Sequence, residues 1–274
     1  MLLREDSYQI LIDQFKWHIP QRYNIAWDIC DKWIEEVDRT ALVYETGDGI
    51  PKRYTFKDIH RLSNQLANVF NAFGLDRLDR IAVLLPQRPE VAVTHLAAYR
   101  SGAIAVPLFT LFGQDALRYR LRDSGAKFVV TDSAGIKSIA AIRDELPDLQ
   151  VVFNVDGVGD GGEDLYGLLQ RASDSFESVR TMADDPAMII YTSGTTGDPK
   201  GALLPHRTMI GHMPGVEFSH DFLGQEGDLI WSPADWAWIG GLVDVLFAAW
   251  QIGVPVIARR FDKFEPDLAL DLMI

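Results

Sequence analysis

The sequence predicts an α/β fold in which mainly parallel sheets are flanked by helices. Two patterns carry that expectation. Apolar runs of strand length alternate with segments whose apolar residues recur at helical spacing, and glycines and prolines stand at the joints. The composition agrees: 274 residues, 47% hydrophobic and 24% charged, describe a globular chain rather than a disordered or collagen-like one. That length suits one large domain or two smaller ones.

The elements run in order along the chain. Tyr8, Leu11, Ile12 and Phe15 fall at helical spacing and predict a short amphipathic helix. Glu5, Asp6 and Asp13 interrupt what would have to be an acid-free presequence, and no apolar h-region is present, so no targeting signal is expected and a cytoplasmic location is. Thr55 with Asp58 three residues on forms a capping-box pattern. Ile59, Leu62, Leu66, Val69, Phe70 and Phe73 then make one helical stripe, closed by Gly74. Ile81–Leu85 reads as a buried strand stopped by Pro86, and Pro89–Arg100 as a helix with Gly102 after it. Ala103–Val106 is a further strand, and Leu117 and Leu121 ahead of Gly125 mark a helix. Phe128–Thr131, Ile136–Leu146 and Val151–Val155 read as strand, helix and strand. Such alternation means βαβ units.

Asp156–Asp164 is rich in glycine and acid but fails the EF-hand spacing, so a solvated loop is expected rather than a calcium site. The polar stretch Ser173–Asp185 helps to separate the first α/β block from the C-terminal third of the chain. Ile239–Ala258 imitates a membrane span. Asp244, Gln251, Gly253 and Pro255 argue instead for a buried helix, Gly241–Gln251, and a strand, Val254–Ala258. These boundaries predict a lead-in over 1–40, a first α/β subdomain over 41–180 and the start of a second over 181–274.

Charge narrows the partners. With 26 Lys+Arg against 39 Asp+Glu the net charge is −13, which argues against nucleic acid while leaving room for a local basic pocket. Cys30 is the only cysteine, so no intrachain disulfide or cysteine-based zinc cluster can form, and it reads as a small apolar residue. No two histidines stand at HxH or HxxxH spacing, and no metal site is expected among them. A homo-oligomer is compatible with the sequence.

Chemistry concentrates after the apolar strand Met188–Tyr191, in Thr192-Ser193-Gly194-Thr195-Thr196-Gly197-Asp198-Pro199-Lys200-Gly201. Glycines let backbone N–H groups approach phosphate oxygens, hydroxyls donate further hydrogen bonds, and a lysine neutralises charge. The end of a parallel strand is also where α/β sheets place ligands. The Walker A pattern fails, because Pro199 stands where its second glycine belongs and Gly201 comes after Lys200. Pro199 disfavours helical geometry at Asp198, which suits a loop that folds over phosphates better than one capped by a helix. On residue chemistry alone, a plain Gly/Thr turn between strand and helix stands beside the phosphate cradle.

Tyr191–Gly201 resembles the signature loop of the adenylate-forming superfamily, which comprises acyl-CoA synthetases, luciferases and peptide-synthetase adenylation domains. Leu203–Arg207 continues the resemblance, as do Leu85–Glu90 and Ser101–Leu108 upstream, so it runs from about residue 25 to the last residue. Tyr23–Asp28 is similar to the lead-in of medium-chain acyl-CoA synthetases. Trp231–Trp238 resembles a Trp-x-x-x-Asp-x-Gly-Trp segment shared in part with acetyl-CoA synthetases, with Ala237 replacing the usual glycine.

The resemblance implies the large N-terminal domain of such an enzyme, truncated, with layered α/β subdomains. It implies ATP, Mg2+ and coenzyme A as co-substrates and a short- to medium-chain carboxylic acid as substrate. A carboxylate would attack the α-phosphorus of Mg-ATP, and the CoA thiol would then displace AMP. Lys200 and Thr196 would act in catalysis, with Thr192, Ser193, Gly194, Thr195 and Gly197 completing the nucleotide site. Trp238 and Asp235 would face the acyl or CoA channel. His206 reads as a loop anchor rather than a base, and His95 as packing or surface. Relative to the family, the adenine segment, the ribose-binding aspartate and the C-terminal domain with its lysine would lie beyond Ile274, so an inactive N-terminal fragment is expected. Two other readings stay open: an adenylation domain of another branch, with Asp235 meeting a substrate amine, and a non-catalytic α/β binding module.

Overall fold

The computed structural model describes all residues except 1, 37, 48, 160, 193–196, 262, 264, 273 and 274. A short helix α1 (Tyr8–Gln14) and a second, α2 (Ile25–Ile29), lead into strands β1 (Thr40–Glu45) and β2 (Lys52–Thr55) and the long helix α3 (Phe56–Ala72). The βαβ series comes next: β3 (Arg80–Leu84), α4 (Pro89–Arg100), β4 (Ile104–Pro107), α5 (Gln114–Ser124), β5 (Ala126–Thr131), α6 (Ser133–Ala140) and β6 (Val151–Asn154). After it stand the two-residue strand β7 (Glu163–Asp164) and α7 (Leu165–Leu169), the pair β8 (Pro186–Thr192) and β9 (Lys200–Pro205), and α8 (Thr208–Ser219). The last stretch holds α9 (Ile239–Gly241), a π-helical turn at Leu242–Phe247, α10 (Ala248–Ile252), β10 (Val256–Arg259) and α11 (Pro266–Asp271).

Seven strands form the main sheet in the order β7-β6-β5-β3-β4-β8-β9, parallel throughout except for the antiparallel edge strand β9. A smaller sheet runs β10-β1-β2. The mainly parallel α/β architecture is therefore as expected, but the division at residue 180 is not a division of the sheets. β8 and β9 extend the sheet begun by β3, and β10 pairs with β1. The polar 173–185 stretch runs over the surface while its flanking strands return to the same layers.

Period-two alternation decides which face each residue serves. Ile81, Val83, Phe128 and Val130 enter one core together with α3, α4, α8 and α10. Ala82, Leu84, Val106 and Val129 enter a second core with Leu117 and Leu121 of α5 and Ile139 of α6. Strands buried on both faces need apolar residues at every position, which is why they read as continuous apolar runs. Every residue of α4 is buried, consistent with a helix that lies between the sheet and α3.

Helix ends obey local chemistry. The Thr55 hydroxyl accepts the Asp58 N–H at 3.1 Å and the Asp58 carboxylate accepts the Thr55 N–H at 3.0 Å, completing the capping box. At the other end Gly74 adopts φ +82°, while Leu75 N–H bonds Phe70 C=O and Gly74 N–H bonds Asn71 C=O, a Schellman closure. Two expectations are corrected in detail. The helix expected over 136–146 ends at Ala140 and resumes as a 3₁₀ turn at Arg143–Glu145, and the strand expected from Val254 begins at Val256. Helix α1 forms as expected but buries none of its residues. Among the described residues no helix is long and apolar enough to cross a membrane.

Replacing Thr55 with alanine removes one half of the capping box and leaves a helix N–H without its acceptor. The expected cost is about 1 kcal/mol, read as a fall of roughly 2–4 °C in Tm with the near-UV circular dichroism spectrum unchanged.

Candidate functional site

The chain runs from β3 to β4 in one direction across the sheet and then turns back to β5 on the other side of β3. Such a reversal opens a crevice at the carboxyl ends of the strands, where ligands bind in α/β sheets. Here a cavity of about 340 Å³ lies at that point. Pro86 and Gln87 after β3, Phe109–Leu111 after β4, Pro233–Asp235 with Trp238, and Arg259–Phe261 at the end of β10 line it.

Gln87 holds this wall together. Its amide nitrogen donates to the Ser232 and Ala234 carbonyls at 2.9 and 2.7 Å, and its amide oxygen accepts the Arg259 N–H at 3.2 Å. The 232–234 segment has no ladder of its own, so a buried side-chain amide satisfies its carbonyls in place of a strand partner. Sequence reasoning assigned Gln87 no role beyond its place in the Leu85–Glu90 match. The only signal was a polar residue between a buried strand and the proline that opens a helix.

Trp238 and Asp235, expected at the channel, both line this cavity. Trp238 remains 47% exposed and packs against Phe109 at 5.8 Å, whereas Trp236 is buried in the core and Trp231 stacks near Phe261. The three tryptophans thus do different jobs. Burial raises the Asp235 carboxyl above the usual range, opposed by the Ala237 N–H that its Oδ1 accepts at 2.7 Å. Ala237 is not among the residues with positive φ, so its methyl group carries no backbone penalty at this position.

The Thr192–Gly201 loop joins two antiparallel strands, which corrects the alternative of a turn between strand and helix. Thr192 ends β8, Lys200 begins β9 opposite it, and both are exposed. Ser193, Gly194, Thr195 and Thr196 lie outside the described residues. Gly197 adopts φ +91° with open space where a Cβ would stand, so its glycine serves backbone conformation. Gly201 serves packing instead: a Cβ there would meet the Tyr191 ring at 3.2 Å and Ile189 at 2.8 Å. Lys200 forms no ion pair among the described residues, leaving its charge available.

Tyr191 joins the two regions. With Pro107, Phe109, Phe112, Ala237 and Trp238 it lines a small recess between the base of the loop and the cavity wall. Thr192 and Lys200 themselves line neither the cavity nor the recess.

The histidines have structural surroundings. His206 is fully buried, its Nδ1 accepts the Ile25 N–H at 3.3 Å, and burial pushes its pKa down to about 4. It therefore anchors α2 and is no base for a ligand in the cavity. His95 is also buried, with Nδ1 2.9 Å from the Tyr99 hydroxyl and a pKa pushed down by burial to about 3. Cys30, Asp31 and His60 converge, but Arg100 already grips the Asp31 carboxylate with bonds of 2.5 and 2.9 Å. A guanidinium in that position repels a cation, and burial raises the Cys30 thiol pKa, so the cluster does not suit a metal.

A histidine that is neutral when buried destabilises the fold as acid charges the unfolded chain. For His206 the unfolded group protonates near pH 6.5 and the folded group near 4, so stability falls as pH drops through that window. His206→Gln is expected to lose less stability between pH 7 and pH 5 than the wild type in urea titrations. Equal losses in the two proteins would show that another group carries the acid sensitivity.

Comparison with known proteins places this geometry. Residues 31–273 match the AMP-binding enzyme family. Human mitochondrial acyl-coenzyme A synthetase ACSM4 is 32% identical over 265 residues, covering 93% of this chain and 45% of that protein. Acetyl-coenzyme A synthetase of Bacillus subtilis (strain 168) is 34% identical over 250 residues, covering 88% and 42%. The crystal structure of Brucella canis acyl-CoA synthetase superposes with a TM-score of 0.87 at 29% identity, covering 98% of this chain and 50% of that one. The chain thus spans about half the length of the curated relatives it matches. A family match across almost the whole chain, with the same fold, makes this protein a member of the AMP-binding enzyme family.

Proposed function

We propose that this chain carries the phosphate loop and part of the acyl channel of an ATP-dependent acyl-CoA ligase. The reaction is carboxylate + ATP + CoA → acyl-CoA + AMP + pyrophosphate, through an acyl-adenylate. One observation carries the reading: Lys200 stands exposed, with no ion pair among the described residues, at the mouth of a hairpin whose base, Tyr191, shares a recess with Trp238 of the cavity. Acyl-CoA and acetyl-CoA synthetases among the relatives support the same chemistry. The Tyr23–Asp28 and Trp231–Trp238 resemblances are what point to a short- to medium-chain acid as substrate.

In the first step a carboxylate oxygen bonds to the α-phosphorus of Mg-ATP, and the bond to the β-phosphate bridge breaks with its electrons leaving on pyrophosphate. Lys200, the hydroxyls of Thr192, Ser193, Thr195 and Thr196, and backbone N–H groups freed by Gly194 and Gly197 would hold the departing charge, with Mg2+ accompanying the nucleotide. Charge-assisted contacts of this kind act by positioning and preorganised electrostatics rather than by proton transfer. In the second step the CoA sulfur bonds to the acyl carbon and AMP leaves. Phe109 and Trp238 offer the apolar wall for acyl or pantetheine carbons, and Gln87 keeps that wall closed. Asp235 fits a substrate amine poorly, since burial disfavours its charged form and its Oδ1 already serves the Ala237 N–H.

Lys200→Ala and Thr196→Ala are each expected to weaken Mg-ATP binding to this chain by about tenfold, measured by isothermal titration calorimetry. Unchanged affinity in both variants would remove the loop from the nucleotide site. Carboxylates of two to twelve carbons, scanned with CoA on the full-length enzyme, give the acyl preference. A maximum outside the short- to medium-chain range would contradict the proposed substrate class.

A further inference from the structure

The loop is mounted on α5 through an unusual arginine. Arg120 is 7% exposed, and its guanidinium lies 4.0 Å from the Phe112 ring centroid and 5.6 Å from that of Tyr191. Nη1 donates to the Ala116 carbonyl at 2.9 Å, while Nε has no hydrogen-bond partner and no carboxylate pairs with the group among the described residues. Burying a cation with so few partners is costly, and aromatic faces offset only part of that cost. A planar guanidinium can stack where a lysine ammonium cannot. One turn further along α5, Asp123 accepts the Tyr191 hydroxyl at 2.6 Å. Asp198 and Pro199, at the far end of the loop, border a cleft whose other wall is α5 itself. Both ends of the loop therefore meet the same helix.

We propose that Arg120 and Asp123 are positioning residues for the phosphate loop. Asp123 fixes the Tyr191 hydroxyl, Arg120 fixes the Tyr191 ring, and the ring lies across Gly201, so the loop leaves the sheet at one defined angle. Edge-on and tilted ring contacts continue from Phe112 through Phe109 to Trp238, which places the loop and the cavity wall on one support. The assignment rests on the reading of Thr192–Gly201 as the phosphate site. Neither residue touches the ligand in this arrangement; each acts through Tyr191.

Tyr191→Phe keeps the ring and loses only the hydroxyl's bonds to the Asp123 carboxylate and the Arg120 carbonyl, so the core packing is retained. Arg120→Met keeps length and loses the planar cation. Hydrogen exchange is measured on the unliganded chain before titration with magnesium pyrophosphate. Exchange of amides in 190–192 and 200–202 is expected to rise about fivefold or more in each variant, with exchange in β3, β5 and β6 and the Tm held. Pyrophosphate affinity is expected to fall by a similar factor. Unchanged exchange in both variants, or a rise spread evenly over the central strands, would overturn the inference. Should the hairpin loosen selectively while wild-type chain binds neither pyrophosphate nor Mg-ATP, the clamp stands and the ligase reading of the loop falls.

Discussion

Burying both faces of the central parallel strands is the constraint on which the rest of this structure depends. A parallel strand must be reached by a crossover, and a sheet covered on both sides needs helices on both sides. Thus α4 packs on one face and α5 and α6 on the other, and side chains alternate between two cores along β3 and β5. The crossovers leave the carboxyl ends of the parallel strands β3 to β8 at the same edge. That edge then gathers loops with no ladder partners of their own, and such loops are where polar side chains can be spared for a ligand.

Several of the polar groups trapped inside this architecture are paired, and those pairs also tie the lead-in to the sheet layer. Arg100, at the end of α4, donates to both oxygens of Asp31 and to Ser63 on α3, while His60 meets the same carboxylate. Burial alone would raise the Asp31 pKa, but the bonds from His60 and Arg100 outweigh it and hold the carboxyl below the usual range. Breaking a buried pair of this kind by removing one partner costs about 3–5 kcal/mol in other proteins, chiefly because the remaining charge is stranded. A second network serves the carboxyl edge. Arg88 bridges Glu90 and Asp156, and Asp156 also accepts the Ser133 N–H at 2.9 Å. Asp156, at the start of the Gly-rich loop, is thereby engaged with a protein cation and a backbone amide.

Much of the fold was legible because local rules and the buried state agree. Thr55, Asp58 and Gly74 marked the ends of α3 through capping chemistry that involves only neighbours in sequence, and Pro89 with Gly102 bracketed α4 in the same way. The motif Thr192–Gly201 was legible as chemistry. Its setting was not, since nothing local states that Lys200 opens an antiparallel strand paired with Thr192. Gly201 shows the difference well: in the sequence it looks like part of a phosphate cradle, whereas in the fold it makes room for a tyrosine ring. Gln87, Arg120 and Asp123 offered still less signal, because each works on a partner tens of residues away.

By itself the sequence determined that this is an α/β chain, where most strands and helices begin and end, and that a glycine- and hydroxyl-rich loop with one lysine stands after a buried strand. Those properties rest on periodicity, capping and residue chemistry, all of which act over a few neighbouring residues. Only the tertiary structure decided that strands from both sides of residue 180 share two sheets, that three nearby tryptophans take different roles, and that one buried arginine braces the loop from a helix. Strand order and side-chain contact are settled by competition for burial among distant segments, and that competition leaves no local pattern to read.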